Sequence, residues 1–282
     1  KCCLPYCVHS NVVKLAQAQF CFVAQACRSS DAMGAPMSST KPVANPGDAF
    51  LQPNDGVAIS FWIISIAMIA ATVFFFAEAA TVLSHWKTTL HVGGLVTLVA
   101  GVHYMYMREY WVQVHKSPIV YRYVDWSITV PLQMIEFNLI LKAAGKETSG
   151  AMFWKLLLGT IVMLACGYLG EIAVLPAWPA FAGGMAGWAF ILFEIFAGEA
   201  GGAVSGCSEA VSSSFNNMRM IVTVGWSIYP LGYLFGYLLG TVDDTFLNVI
   251  YNIADFVNKI GFVLSCWTAA KSDSAKKDAL LA

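Results

Sequence analysis

The sequence has few charged residues and almost no net charge. Charged residues make up 12% of its 282 residues and the formal net charge is -1, whereas hydrophobic residues reach 58%. A soluble domain carries about 25% charged residues, so a soluble globular chain is excluded. The chain also has no excess of basic residues, which argues against nucleic-acid binding. Such a composition is typical of a protein that lies in a lipid bilayer.

The eight cysteines lack a regular spacing, and the first residue is not methionine. Five cysteines crowd the first thirty residues, where "CCLPYCVH" (residues 2–9) does not have the spacing of a standard zinc site, so we expect no metal centre. Lys14 interrupts the apolar stretch that follows, which makes it a poor match to a signal peptide. We assign residues 1–54 to a leader or extracellular segment, 55–270 to a membrane domain and 271–282 to a cytoplasmic tail.

Seven apolar stretches follow the Pro-rich connector at residues 42–53. About 20 apolar residues span a bilayer, and lipid forces each span to satisfy its own backbone hydrogen bonds. We therefore expect an all-α membrane protein, a bundle of seven transmembrane helices. The predicted spans are residues 57–82, 91–107, 119–141, 152–174, 178–196, 215–239 and 245–267.

The basic residues indicate how the bundle is oriented. With the C-terminus in the cytoplasm, the inner segments hold eight basic residues, whereas the outer loops between helices hold Arg108 and Lys116. The positive-inside rule then places the N-terminus outside. Residues 198–214, rich in Gly and Ser, are predicted to form a mobile cytoplasmic loop. We expect the cell membrane as the location, with an internal eukaryotic membrane as the alternative.

Two opposite charges lie in the middle of the seventh stretch. Asp255 and Lys259 are four residues apart and therefore share one face of a helix. A charge at the centre of a span costs at least a few kcal/mol, so such a pair is by default a functional site. Two interpretations stay open here: a structural ion pair, or a lysine that condenses with an aldehyde beside a carboxylate counterion.

The third stretch, "RYVDWSITVPLQMIEFNLIL" (residues 122–141), carries more polar groups on one face. Arg122, Asp125 and Thr129 follow each other at helical spacing. Glu136 lies eleven residues after Asp125, roughly 16 Å along the helix. Two acids separated along the membrane normal suggest stations of a proton path, although Glu136 alone could also bond to a neighbouring helix. Pro131 predicts a kink.

The sixth stretch carries an aromatic stripe. Trp226, Tyr229 and Tyr233 fall at positions i, i+3 and i+7 and so face one way. Such a stripe usually packs the core, but it could also flank a flat polyene ligand with Trp126 as the opposite wall. Pro230 predicts a second kink.

Five segments together carry a family resemblance: "HYMYMREYW" (103–111), "YRYVDWSITVPL" (121–132), "GYLGE" (167–171), "WSIYPLGY" (226–233) and "NVIYNIADFVNKIGF" (248–262). In this order they resemble the microbial rhodopsins, most closely the proteorhodopsins, over roughly residues 61–268. The resemblance implies a light-driven outward proton pump, which is a transporter and not an enzyme. It also implies all-trans retinal bound to Lys259 as a protonated Schiff base.

The resemblance assigns roles to the remaining polar residues. Asp125 is similar to the primary counterion and proton acceptor, Asp255 to the second counterion, and Arg122 to the arginine on the extracellular side. Glu136 is similar to the cytoplasmic proton donor. His103 matches the histidine that pairs with the acceptor aspartate and tunes its proton affinity. The acceptor, Thr129 and Glu136 form the family's triad, and the retinal cage would consist of Trp126, Trp226, Tyr229 and Tyr233.

Gln133, eight residues after Asp125, matches the family's colour-tuning position. A glutamine there goes with blue absorption and a leucine with green absorption. A polar group beside the polyene stabilises charge at the Schiff base and widens the excitation gap, so we predict a blue-absorbing pigment. The alternative is that Gln133 only bonds to the neighbouring helix.

The same residues argue for or against several other functions. The triad disfavours chloride pumps, which lack the first acid, and sodium pumps, which carry Asn–Asp–Gln. A slow-cycling blue-light sensor remains the rival function, whereas the third and seventh stretches disfavour a G-protein-coupled receptor. We expect no carotenoid antenna, because Phe181 stands where antenna-binding xanthorhodopsins have a glycine. The resemblance further implies a homo-oligomer, a pentamer or hexamer.

Overall fold

The computed structural model describes residues 51–281, with side chains up to residue 276. Within that range the chain forms seven long helices and one short one, and no strand, so the prediction of an all-α bundle is confirmed. The first fifty residues, with their five cysteines and the weak zinc and signal-peptide motifs, lie outside the described residues. The long helices are α1 (Gly56–Glu78), α2 (Ser84–Val114), α3 (Ile119–Ala143), α4 (Gly150–Glu171), α5 (Ala177–Phe196), α6 (Glu209–Leu238) and α7 (Asp244–Leu281).

Six of these helices are long and apolar enough to cross a bilayer: α1, α2, α4, α5, α6 and α7. The seventh, α3, is less apolar because it buries Arg122, Asp125 and Glu136. Large apolar side chains on the outer surface, such as Val73 at 64% exposure, are expected where lipid replaces water. The chain is therefore a multi-pass integral membrane protein.

The helices pack in chain order, and α7 closes the bundle. Each of α2, α3, α4 and α5 packs against the helix before it, while α7 contacts α1, α2 and α6. Small residues let α4 and α5 approach closely. A Cβ atom on Gly187 would lie 2.7 Å from the backbone nitrogen of Met163 and 2.8 Å from the carbonyl oxygen of Gly159. This position therefore requires glycine.

Two segments differ from the sequence-based expectation. Residues 198–214, expected to be a loop, contain the short helix Glu199–Ala203 and the first turn of α6. That turn forms because the Ser208 side chain accepts a hydrogen bond from Val211 N at 3.4 Å, an N-cap. Residues 271–281, which belong to the predicted cytoplasmic tail, are helical and continue α7 without a break. The alanines, lysines and leucines there are strong helix formers.

Helix α6 is irregular where Pro230 predicts a kink. Two π-helical segments, Ile221–Gly225 and Leu234–Leu238, flank a regular α-helical stretch, Ile228–Tyr233. Helix α3, in contrast, continues through Pro131. Because π segments inside α-helices are frequent at functional sites, the residues around α6 are candidates for such a site.

Candidate functional site

The centre of the bundle holds an ammonium group between two carboxylates. Lys259 on α7 is 2% exposed, and its Nζ donates hydrogen bonds to Oδ2 of Asp125 on α3 and, at 3.1 Å, to Oδ2 of Asp255 one turn earlier on α7. Both carboxylates are buried. Charges are tolerated in such a position only when they are paired and hydrogen-bonded. The structure thus joins the charged groups that the third and seventh stretches were expected to contribute.

Asp255 is held by aromatic donors from two other helices. The Tyr229 hydroxyl on α6 donates to Asp255 Oδ1 at 2.5 Å, and the Trp126 indole nitrogen on α3 lies 3.3 Å from the same oxygen. These bonds fix the carboxylate against Lys259. Trp126 and Tyr229, which were predicted to line a ligand cage, thus bond to the carboxylate of Asp255.

Asp125 is less completely bonded than Asp255. Its Oδ1 is buried and has no hydrogen-bond partner among the described residues. The Thr129 hydroxyl donates to the backbone carbonyl of Asp125 at 3.0 Å and not to the carboxylate. The half-buried His103, predicted to pair with Asp125, has its Nδ1 2.9 Å from the carbonyl oxygen of Val99 on its own helix. Asp125 therefore keeps one oxygen available to accept a hydrogen bond or a proton.

Arg122 on α3 belongs to the same cluster, and its guanidinium is bound by the side-chain amides of two asparagines on α7. Its Nη2 donates to Oδ1 of Asn248 and to Oδ1 of Asn252, each at 2.7 Å. The guanidinium also lies over the rings of Phe61 and Tyr251, at 5.3 and 5.5 Å from their centroids. The guanidinium is thereby fixed by neutral partners, in the part of the bundle nearer the N-terminal end of α3.

Glu136 is isolated in the opposite half of α3. It is fully buried, and by hydrogen-bond geometry neither of its carboxyl oxygens has a partner among the described residues. The Cys266 thiol and the Gly93 backbone lie near enough to interact with its carboxyl group. Phe137, next in the chain, packs on Phe215 and Phe262 at ring distances of 5.1 and 5.6 Å. The carboxyl group therefore lies in an apolar layer.

A cavity of about 830 Å³, its open mouth included, extends from Lys259 between α3 and α6. Phe181 lines it as well and stacks on Tyr233, with ring centroids 5.4 Å apart. An elongated apolar cofactor could lie here with one end at the Lys259 amine. The predicted cage residues all line this cavity: Trp126, Gln133, Trp226, Tyr229 and Tyr233.

Gln133 reaches α7 beside the lysine. Its Nε2 donates to the backbone carbonyl of Asn258 at 3.1 Å. Gln133 thus both lines the cavity and bonds to the neighbouring helix, so the two interpretations of this residue are compatible.

Several site residues escaped the sequence reasoning. Asn248 and Asn252 stand four residues apart, at helical spacing from Asp255, and that spacing could have revealed them. Asn258 stands three residues after Asp255, again at helical spacing, so the same signal could have revealed it. Glu171 also lines the cavity and accepts a hydrogen bond from the Tyr123 hydroxyl at 2.6 Å. It stands in the segment "GYLGE" (167–171), but no role was predicted for it.

Comparison with known proteins agrees with this geometry. The family model of bacteriorhodopsin-like proteins matches residues 55–272. The chain is 50% identical to the blue-light absorbing proteorhodopsin of Gamma-proteobacterium Hot 75m4 over 227 residues, which is 80% of this chain and 90% of that protein. It is 47% identical to the green-light absorbing proteorhodopsin of Gamma-proteobacterium EBAC31A08 over 83% of this chain and 94% of that protein.

A solved structure shows the same arrangement of helices. The crystal structure of blue light-absorbing proteorhodopsin from Med12 is 46% identical and superposes with a TM-score of 0.69, covering 78% of this chain and all of that one. Both the matched family model and these relatives span nearly all of the described bundle. The chain therefore belongs to the bacteriorhodopsin-like family and is, within it, a proteorhodopsin-like microbial rhodopsin.

Proposed function

We propose that this protein is a light-driven outward proton pump that binds all-trans retinal to Lys259 as a protonated Schiff base. The carrying observation is the pair of buried acids on α3, Asp125 beside Lys259 and Glu136 alone in the apolar layer. A sensor or a structural bundle has no use for a second, isolated carboxyl group at that depth. Intramembrane acids arranged along a path are typical of proton relays.

The residues around Lys259 fit retinal. A buried amine opens onto a cavity that is lined mainly by aromatic and apolar side chains. When bound, retinal supplies light absorption and a light-driven change of shape. Trp126 and Trp226 would hold the flat chain of the ligand, while Asp125 and Asp255 balance the positive charge on Nζ of Lys259.

Asp125 acts as the proton acceptor on the outward side. Its Oδ2 is already hydrogen-bonded to Lys259 Nζ, so a proton can transfer along an existing contact. Asp255 is held by Tyr229 and Trp126, whereas Asp125 has a free oxygen, which makes Asp125 the carboxylate that can rearrange once it is protonated. His103, which the resemblance implies tunes this carboxylate, would act on it from α2 while its Nδ1 lies 2.9 Å from the carbonyl oxygen of Val99.

Glu136 acts as the donor on the cytoplasmic side. An ionised carboxylate without a partner in an apolar layer would cost many kcal/mol, so Glu136 holds a proton in the resting protein. Its distance along α3 from Asp125 is roughly 16 Å. The proton therefore enters Lys259 from one side and leaves it on the other, which is what vectorial transport requires.

The outward direction rests on the orientation of the bundle. The end that carries Lys142, Lys146 and Lys155 is more basic than the end that carries Lys116, so the positive-inside rule places the Glu136 half in the cytoplasm. The N-terminus is then outside. Assembly into a pentamer or hexamer and insertion into a cell membrane follow from the likeness to proteorhodopsins alone.

The pigment is proposed to absorb blue light. Gln133 is the residue on which this rests, since its amide lies against the cavity and bonds to α7 next to Lys259. The similarity to a protein named as a blue-light absorbing proteorhodopsin supports the same assignment. Phe181 fills part of the cavity wall between α4 and α6, so we propose no carotenoid antenna there.

Light-induced acidification tests the proposal. Cells that express the chain and are supplied with all-trans retinal are illuminated with blue light while the external pH is recorded. We expect acidification that a protonophore abolishes, and no response from the Lys259→Ala variant. Alkalinisation would contradict the orientation, and an absence of pigment would contradict the retinal assignment.

The rival function, a slow-cycling blue-light sensor, gives a different result in the same experiment. It predicts a blue pigment, a slow return to the dark spectrum and no pH change. Flash spectroscopy on the same membranes separates the two, because a pump must turn over quickly to move a measurable number of protons. The isolated Glu136 favours the pump.

A further inference from the structure

The residue before the lysine makes an unusual contact with α6. Asn258 is 2% exposed, and its Nδ2 donates to the backbone carbonyl of Gly225 at 3.0 Å. Gly225 is the last residue of the π segment Ile221–Gly225, where the ordinary helical hydrogen bonding is shifted. The Asn258 side chain therefore binds a backbone carbonyl in the part of α6 that departs from regular geometry.

Glycine is required at the other side of this contact. A Cβ atom at position 225 would lie 2.0 Å from Oδ1 of Asn258, and 2.9 Å from its Cγ. The backbone of α6 therefore touches the amide directly. Any larger residue would have to displace the Asn258 side chain.

The same amide reaches the counterion through a tyrosine. Asn258 Nδ2 lies 3.3 Å from the Tyr229 hydroxyl, and that hydroxyl donates to Asp255 at 2.5 Å. On the opposite side, the backbone carbonyl of Asn258 accepts the amide of Gln133 at 3.1 Å. One residue thus connects α3, the π segment of α6 and the counterion to the peptide unit that leads into Lys259.

We propose that Asn258 is a positioning residue that couples the backbone of α6 at its π segment to Lys259. A change of shape at Lys259 shifts the adjacent Asn258, which pulls on Gly225 and on Tyr229. Return of α6 to its resting geometry restores both hydrogen bonds and so returns Asp255 to its place beside the lysine. This inference rests on the proposed function, since it needs a light-driven change at Lys259.

A double-mutant cycle tests the coupling. Asn258→Ala removes the contact from α7, and Gly225→Ala breaks it from α6, because its Cβ displaces the amide of an asparagine that is still present. Thr223→Ala is the matched control, because Thr223 belongs to the same π segment but its hydroxyl donates only to Arg219 O of its own helix at 2.8 Å. The readouts are the rate of return to the dark spectrum after a flash and the thermal unfolding temperature of the retinal-free protein.

We expect Asn258→Ala and Gly225→Ala each to slow the return about tenfold, as the loss of a buried hydrogen bond would. The double variant should be no slower than either single variant, because both changes break one contact. The control should return at the wild-type rate. In the retinal-free protein, the unfolding temperatures should show the same lack of additivity.

Three results would overturn the proposal. The first is an unchanged return rate in Asn258→Ala, and the second is a double variant slowed by the product of the two single effects. The third is an equal decrease in the unfolding temperature of all variants, Thr223→Ala included, with no difference between their rates of return to the dark spectrum. A wild type that forms a pigment but moves no protons contradicts the pump and still permits this test, since the return rate does not depend on transport.

Discussion

Replacing Glu136 by glutamine should make recovery of the pigment depend on the bulk proton concentration. On the proposed mechanism, Glu136 holds its proton inside the wild-type protein, so Lys259 regains a proton without waiting for solvent. Glutamine has nearly the same shape and needs no charge compensation in the apolar layer. The variant should therefore fold and bind retinal while it loses only the proton store.

The size of the effect follows from diffusion. A neutral solution contains about 10⁻⁷ M protons, and a diffusion-limited association constant is roughly 10⁹–10¹⁰ M⁻¹ s⁻¹, which together give at most about 10²–10³ s⁻¹. The Glu136 position is fully buried, so the rate in the variant should lie well below that limit. It should fall about tenfold per pH unit, since each step removes nine tenths of the protons.

The assay is flash spectroscopy of membranes at a series of pH values around neutrality. Glu194→Gln is the matched control, because Glu194 is another buried carboxylate near the same end of the bundle, paired with Lys155 at 3.4 Å. The control should recover at a rate that depends only weakly on pH, as the wild type does. A Glu136→Gln variant with the same pH-independent rate as the wild type would refute the assignment of Glu136 as donor.

Three further substitutions test the centre of the site. Absorption spectra of Lys259→Ala should show no visible pigment after retinal is added, whereas those of Lys155→Ala should still show the pigment. A stable pigment in Lys259→Ala would exclude Lys259 as the attachment site. Asp125→Asn should shift absorption to the red and abolish light-driven acidification, because a neutral amide neither stabilises the positive charge nor accepts the proton; surviving transport would contradict the acceptor role. Gln133→Leu should also shift absorption to the red, because it removes the amide that bonds to Asn258 at 3.1 Å. An unchanged absorption spectrum would mean that Gln133 has only a structural role.

Contacts within one helix were predictable from spacing. Asp255 and Lys259 share a face of α7, and Asp125 and Glu136 share a face of α3, because helical geometry is nearly the same in every sequence. The length and apolar character of each stretch likewise gave the seven helices. Their ends were less certain. Ser208, for example, begins α6 earlier than hydropathy indicates, because a cap depends on one side chain and not on an average.

Contacts between helices could not be derived in that way. That Lys259 meets Asp125 followed only from the family resemblance, since nothing in the spacing of one helix fixes its neighbour's rotation. The partners of Arg122 were hidden for the same reason, although Asn248 and Asn252 lie on the predicted face of α7. The π segments of α6 left no trace in hydropathy either, because a shifted hydrogen-bond register changes no side chain.

The balance of buried charge explains why this arrangement suits proton transport. Lys259 and Arg122 are opposed by Asp125 and Asp255, so the central cluster is neutral although each member alone would be costly in a membrane. Transfer of a proton from Lys259 to Asp125 keeps that balance. Loss of the proton from Glu136 would leave an unpaired negative charge in an apolar layer. The cost of that charge is offset only when Lys259 regains its positive charge. On the proposed mechanism, electrostatics therefore sets the order of the two transfers: Glu136 would release its proton only after Asp125 has taken one from Lys259.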